Sequence, residues 1–168
     1  METLAHKLQV LFALLSFSYL NGAAVAWDVG VNYGTVADNL PPPAKVAEFI
    51  KTKTYINKIK IFDGNTDIIR AFANSGIAMT IMVPNEEIPN VVQLPAAQEW
   101  VKTHVTPFLP QTNIIRVLVG NEILQWGPQK AIDNLVAAMR TIYQALLLAG
   151  HKNVQVSQLH YYFFLKMK

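Results

Sequence analysis

With 168 residues, 52% of them hydrophobic and 15% charged, the chain is long enough for one domain with a real core and too apolar for a disordered segment. The net charge of +3 comes without a basic block or Arg–aromatic interleaving, so nucleic acid is not an expected partner. No cysteine is present, and His6, His104, His151 and His160 show no close ligand spacing; disulfides, thiol chemistry, a metal centre and a bound cofactor are not expected.

The first segment, "METLAHKLQVLFALLSFSYLNGAAVAWD", has a polar start with Lys7, an apolar run from Leu8 to Leu20, and the small residues Ala24 and Ala26. This is the pattern of a secretory signal peptide over residues 1–26, cut after Ala26, which predicts a secreted, extracellular protein. The apolar run is short for a membrane anchor, and Asn21-Gly22 interrupt it. Residues 27–168 then form the mature domain.

From Val29 onward a β-branched run, a turn, an amphipathic helix and a Gly or Pro stop recur. The runs at 28–34, 56–62, 77–83, 113–122 and 153–157 read as strands. Pro41-Pro42-Pro43 suit entry to a first helix, with Val46, Phe49 and Ile50 on one face. Thr66-Asp67 can cap a second helix carrying Ile68, Ile69 and Phe72, with Gly76 closing it. A third helix over 95–105 turns Trp100, Val101 and Val105 inward. The longest helix takes Pro128 at its first position, Ile132, Leu135, Val136, Met139, Ile142, Tyr143 and Leu146 on its apolar face, and Gly150 at its end.

Alternating strands and helices predict right-handed βαβ units and a parallel sheet buried on both faces. Two folds fit. A doubly wound sheet wants a glycine-rich phosphate loop after its first strand, and "GVNYGTVADNL" is not one. A (β/α)8 barrel gathers its chemistry at the C-terminal ends of the strands. Here those ends carry Asn32 and Tyr33, Asp63, Asn85 and Glu86, and Asn121 and Glu122. The fold class expected is therefore α/β, of the (β/α)8 TIM barrel type. Eight units take ~250 residues, so this chain holds about the first four and a half.

A carboxyl group at a strand end flanked by Val119, Ile123 and Leu124 is suited to hold a proton, because partial burial disfavours its charged form. Asn121 can hydrogen-bond a sugar hydroxyl, and Tyr33 can offer a stacking face. Glycoside hydrolysis uses such groups, with a second carboxylate against the anomeric carbon. Each residue also has a plain reading: Asn-Glu as a helix cap, Tyr33 as packing, Asp63-Gly64 as a turn, and Trp126 as packing against the long helix.

Several motifs occur in one order: "VGVNYGTVADNLPPP", "KIKIFDGNTDIIRAFANSGIAMTIMVPNEEI", "AAQEWVKTHVTPFLPQTNIIRVLVGNEIL" and "AMRTIYQALLLAGHKNVQVS". Together they resemble plant endo-1,3-β-glucanases, glycoside hydrolase family 17, over about Val29 to Ser157. The resemblance implies a (β/α)8 barrel, retaining hydrolysis of internal β-1,3-glucosidic bonds, and a callose- or laminarin-like glucan of the cell wall as partner. It maps the acid/base to Glu122, the neighbouring sugar-binding amide to Asn121, and the cleft to Tyr33, Asn32, Phe62, Asp63 and Asn85. Contact with a membrane would require a lipid anchor in a longer form.

The family's nucleophile, a second Glu near an E-x-G-W-P motif, has no counterpart in these residues. After "VSQLH" the chain departs from the family and becomes "YYFFLKMK", an apolar and basic tail that reads as foreign sequence or as a membrane-binding segment. Five strands cannot close a barrel. The expectation is therefore an unpaired parallel edge at the first and at the fifth strand, low stability, and aggregation unless another chain pairs with it.

Overall fold

The computed structural model describes residues 28–159 and 164–166. The predicted signal peptide, residues 1–26, lies outside the described residues, as does most of the divergent tail. The elements run β1 (Gly30–Asn32), α1 (Pro43–Lys53), β2 (Lys58–Lys60), α2 (Thr66–Ala71), β3 (Ala78–Val83), α3 (Leu94–His104), β4 (Asn113–Asn121), α4 (Ile123–Trp126), α5 (Gln129–Leu148), β5 (Gln155–Leu159) and β6 (Phe164–Lys166).

The sheet order is β1-β2-β3-β4-β5-β6, and the first five strands are parallel. This order decides between the two expected folds. A doubly wound sheet reverses direction and places helices on both faces. An order that never reverses, built with right-handed crossovers, puts every crossover helix on one face. The observed sheet is therefore the barrel type.

One core lies between that face and the helices. Ile59 and Ile61 of β2 and its exit, Met79, Ile81 and Val83 of β3, Val117 and Val119 of β4, and Val156 of β5 are all buried in it. They meet Ile50 of α1, Ile68 and Ile69 of α2 with Phe72 just beyond it, Ala97 and Val101 of α3, and Leu135, Met139 and Ile142 of α5. Side chains alternate along a strand, so Lys58, Lys60, Thr80, Met82, Arg116, Leu118, Gln155 and Ser157 leave the sheet on the opposite face. Met82 and Leu118 are buried, yet lie outside the main cluster.

Several local expectations are corrected. The strands predicted at 28–34 and 56–62 shorten to three residues each, although Tyr33 N donates to Lys60 O at 2.8 Å and Ile61 N to Thr80 O at 3.0 Å, continuing the ladder. Asn65, not Thr66-Asp67, caps α2: its Oδ1 accepts from Asp67 N at 3.0 Å and Ile68 N at 3.1 Å. That helix closes before Gly76, at Ala71 with Phe72 as its C-cap, and Gly76 adopts φ +76°. Pro128 stands just before α5, at its cap, because its extended ψ of 142° is not helical. Val136 is exposed; the buried stripe of α5 runs through Ala131, Leu135, Ala138, Met139, Ile142 and Ala145. Small alanines on that stripe let the helix approach the sheet. Gly150 ends α5 as expected, at φ +83°, with its N–H on Leu147 O and His151 N–H on Leu146 O, the paired bonds of a Schellman motif.

The expected bare edge at the fifth strand is also corrected. β6 pairs antiparallel with β5, in the register Ser157↔Lys166, Gln158↔Leu165 and Leu159↔Phe164. A parallel partner would need a crossover of a dozen or more residues, whereas an antiparallel one needs only a short reversal. The departure from the family pattern thus supplies an edge strand. Among the described residues no helix is long and apolar enough to cross a membrane.

Candidate active site

The C-terminal end of β4 is where the backbone is most constrained. Gly120 has φ +78°, and a Cβ there would meet Ile88 Cδ1 at 2.9 Å and Asn85 Oδ1 at 3.1 Å. Only glycine satisfies both the dihedral and the space. Two residues on, Glu122 has φ +51°, a left-handed conformation that a residue with a long side chain rarely adopts. Its carbonyl accepts from Gln125 N and Trp126 N, both at 3.0 Å, and opens α4. Its side chain makes no capping bond. The cap reading of Asn121-Glu122 therefore holds for the backbone of Glu122 and leaves its carboxylate free, half-buried at the rim.

Asn121 is fixed from three directions. Asn85 Oδ1 accepts from Asn121 N at 2.7 Å, and Asn85 Nδ2 donates to Asn121 O at 3.1 Å. The Asn85 amide thereby imitates a neighbouring strand. The side-chain oxygen of Asn121 accepts from Lys60 Nζ at 3.0 Å. Lys60 also places its ammonium 4.0 Å from the centre of the Phe62 ring, within cation–π range. Burial holds the Lys60 ammonium below the usual lysine range, and the negative charge of Glu122 opposes that shift. Lys60, Phe62, Asn121 and Glu122 therefore form one group on the C-terminal rim, with Asn85 behind it.

Tyr33, Asn32 and Asp63 make no side-chain hydrogen bond to this group among the described residues. Tyr33 packs against the main core with Val31, its ring centroid 6.4 Å from that of Phe72. Burial raises its hydroxyl pKa above 10.0. Asn32, between them, points the other way and is exposed, paired in register with Lys60. Asp63 binds its own turn: Oδ1 accepts from Asn65 N at 3.0 Å, and its carbonyl accepts from Met82 N at 3.0 Å. It borders a cavity of about 370 Å³ lined also by Gly64, Asn65, Thr66, Asp67, Pro84, Glu87 and His104. Glu122 is not in that lining. His104 Nδ1 lies 2.7 Å from Gly64 O, and since a carbonyl only accepts, Nδ1 carries the proton. Glu87 accepts from Trp100 Nε1 at 3.0 Å. Trp126 does not pack on the long helix; it is 75% exposed.

Lys60 is the residue that sequence reading missed. Its signal was the alternation in "INKIKIF", where Lys58 and Lys60 alternate with Ile59 and Ile61. A lysine at the inward-facing position of a buried parallel strand is costly unless it has partners. Among the described residues no cluster of three or more His, Asp or Glu could hold a metal ion.

A non-reversing parallel sheet, helices on one face and a polar rim at the strand ends define a barrel-type βα protein. The chain belongs to the glycosyl hydrolases family 17, whose model matches residues 29–165. It is 42% identical over 137 residues to a glucan endo-1,3-beta-glucosidase of Triticum aestivum, covering 79% of this chain and 30% of that protein. It is 39% identical over 145 residues to glucan endo-1,3-beta-glucosidase 11 of Arabidopsis thaliana, covering 86% and 34%. Among solved structures it is similar to CJP38, a beta-1,3-glucanase and allergen of Cryptomeria japonica pollen, with TM-score 0.75 and 39% identity over 79% of this chain and 42% of that one. The chain thus spans about a third of the length of the curated relatives it matches, and its fold is the corresponding part of the family's (β/α)8 barrel.

Proposed function

We propose that the chain carries the proton-donating half of an endo-1,3-β-glucanase, a retaining hydrolase of internal β-1,3-glucosidic bonds in callose- or laminarin-like glucans. The observation that supports this best is the unoccupied carboxylate of Glu122, held in left-handed backbone at the end of β4 beside a locked Asn121. In this reading Glu122 protonates the departing glycosidic oxygen, and Asn121 binds the adjoining sugar. Phe62, under the Lys60 ammonium, and Asn32, the register partner of Lys60, would meet the same sugar chain.

A retaining mechanism needs a second carboxylate ~5–5.5 Å from the first. Asp63 is committed to its turn and Glu87 to Trp100. Because the E-x-G-W-P glutamate that the resemblance assigns as nucleophile is not among these 168 residues, we infer that they bind glucan without turning it over. Affinity electrophoresis through laminarin and through a β-1,4-glucan tests the assignment. Retardation by laminarin alone is expected; equal mobility in both gels would overturn it. Reducing ends released from laminarin, and lost in Glu122→Gln, would overturn the inference that turnover is absent. Residues 1–26 are proposed to direct export. A reporter fused after Trp27 should be secreted with Trp27 at its N-terminus, and retention inside the cell would contradict this.

A further inference from the structure

Asn121 has one polar group left over. Its backbone N–H and C=O are both bound by the Asn85 side chain, and its Oδ1 is bound by Lys60 Nζ. An ammonium has three donors and no acceptor, so the atom facing it is the amide oxygen and the amide cannot be flipped. The remaining group, Nδ2, makes no hydrogen bond to a described residue, and Asn121 is only half-buried.

We propose that Lys60 is the positioning residue of this rim: by holding Oδ1 it fixes Asn121 as a hydrogen-bond donor to the glucan, so that the sugar must present an acceptor oxygen there. Three features give Lys60 that capacity. Its bond to Asn121 is charge-assisted, and such bonds are about twice as strong as neutral ones. Its half-buried stem and the Phe62 ring at 4.0 Å restrict its rotamers. The carboxylate of Glu122 favours its charged form, so the proposed acid/base, the amide and the lysine are linked electrostatically. Glu122 follows Asn121 directly in the chain, and fixing one restrains the other.

This inference rests on the glucan reading above, and its test separates the two. Without glucan, the side-chain amide resonances of Asn121 are compared in the wild type, Lys60→Met and Lys60→Arg. Wild type and Lys60→Arg should give a dispersed, slowly exchanging pair, and Lys60→Met a pair moved toward free-amide positions. Unchanged resonances in Lys60→Met would overturn the positioning role. Circular dichroism checks folding, and Lys60→Gln substitutes if Lys60→Met does not fold. With laminarihexaose, Lys60→Met and Asn121→Ala should each weaken binding about tenfold, the scale of one oriented hydrogen bond. The double variant should lose no more, and Lys60→Arg should recover most of the affinity. Additive losses would overturn the proposal. If Asn121 responds to Lys60 while the wild type does not bind laminarihexaose, the glucan reading fails and the hold of Lys60 on Asn121 stands.

Discussion

The two faces of the sheet are built from the same strands and behave as different materials. On the helical face Ile59, Ile61, Met79, Ile81, Val83, Val117, Val119 and Val156 form an unbroken apolar layer with almost no exposure. One residue out of step, the opposite face carries Asn32, Lys58, Lys60, Thr80, Arg116 and Ser157, with Met82 and Leu118 as its buried apolar residues. Arg116 there reaches across to Gln155 Oε1 at 3.0 Å. The position's parity along the strand decides its role: one face supplies stability, the other presents polar groups toward what would be the barrel interior. Strand ends are where the two meet, and Gly120-Asn121-Glu122 turn the chain from one regime into the other.

The largest effect should come from breaking the helical face. Phe72 is fully buried just beyond α2, and its ring lies tilted at 56° to that of Tyr33. Phe72→Ala should cost about 3–5 kcal/mol in a urea titration, from lost transfer energy and the cavity left behind. A loss below 1 kcal/mol, on the order of a surface change, would show that the layer is not one cooperative core.

Next in size is the strand end. Gly120→Ala places a methyl group against Ile88 and Asn85 in a residue at φ +78°. The left-handed penalty alone is about 1–2 kcal/mol, and displacement of Asn85 would also release the backbone of Asn121. A destabilisation of about 2 kcal/mol or more is expected by the same titration. The opposite sign is expected two residues later. Glu122→Gly removes a side chain from a backbone at φ +51°, and relief of that strain should stabilise the fold by about 0.5–1 kcal/mol. Glu122→Gln keeps the strain and should not. A matched gain in both variants would mean that charge, not backbone, is the source.

The helical face was largely legible in the sequence, because it is made of local periodicity. Ile68, Ile69, Phe72, Trp100, Val101, Leu135 and Ile142 were all expected inside, and all are buried. The opposite face was less legible because its order comes from pairings distant in sequence. Asn85 clamps Asn121 across 36 residues, and Lys60 reaches it across 61. No local pattern announces such contacts, so Asn85 was expected to face a sugar whereas its amide is taken up by backbone. The edge strand β6 escaped for a similar reason. Its residues were read as departing from a family pattern, while pairing needs only an extended run beside an open ladder. Phe49 and Val136, each expected on an apolar helix face and each exposed, misled because helical periodicity fixes a stripe only to within about one residue.

The smallest effect separates the faces by sign. Tyr33, on the helical face, keeps its proton in the folded state above its ordinary pKa of 10.0, because burial penalises the phenolate. The unfolded chain releases that proton first. Its contribution is therefore complete below pH 10.0 and is lost as the pH rises through the higher folded value. Lys60, on the opposite face, has its pKa lowered from 10.5, mainly by burial. Between the lowered value and 10.5 the unfolded chain binds more protons than the folded one, so stability rises with pH in that window. The two slopes oppose each other. Chemical denaturation from pH 7 to 11 should show a fall above pH 10 that flattens in Tyr33→Phe. The rise below 10.5 should vanish in Lys60→Met. Baselines will shift in both variants through lost packing, and only the slopes carry the test. If Lys60→Met left the slope unchanged while Tyr33→Phe altered it, burial would not be what lowers the lysine's pKa, and the opposite face at Lys60 would be as well solvated as an open surface.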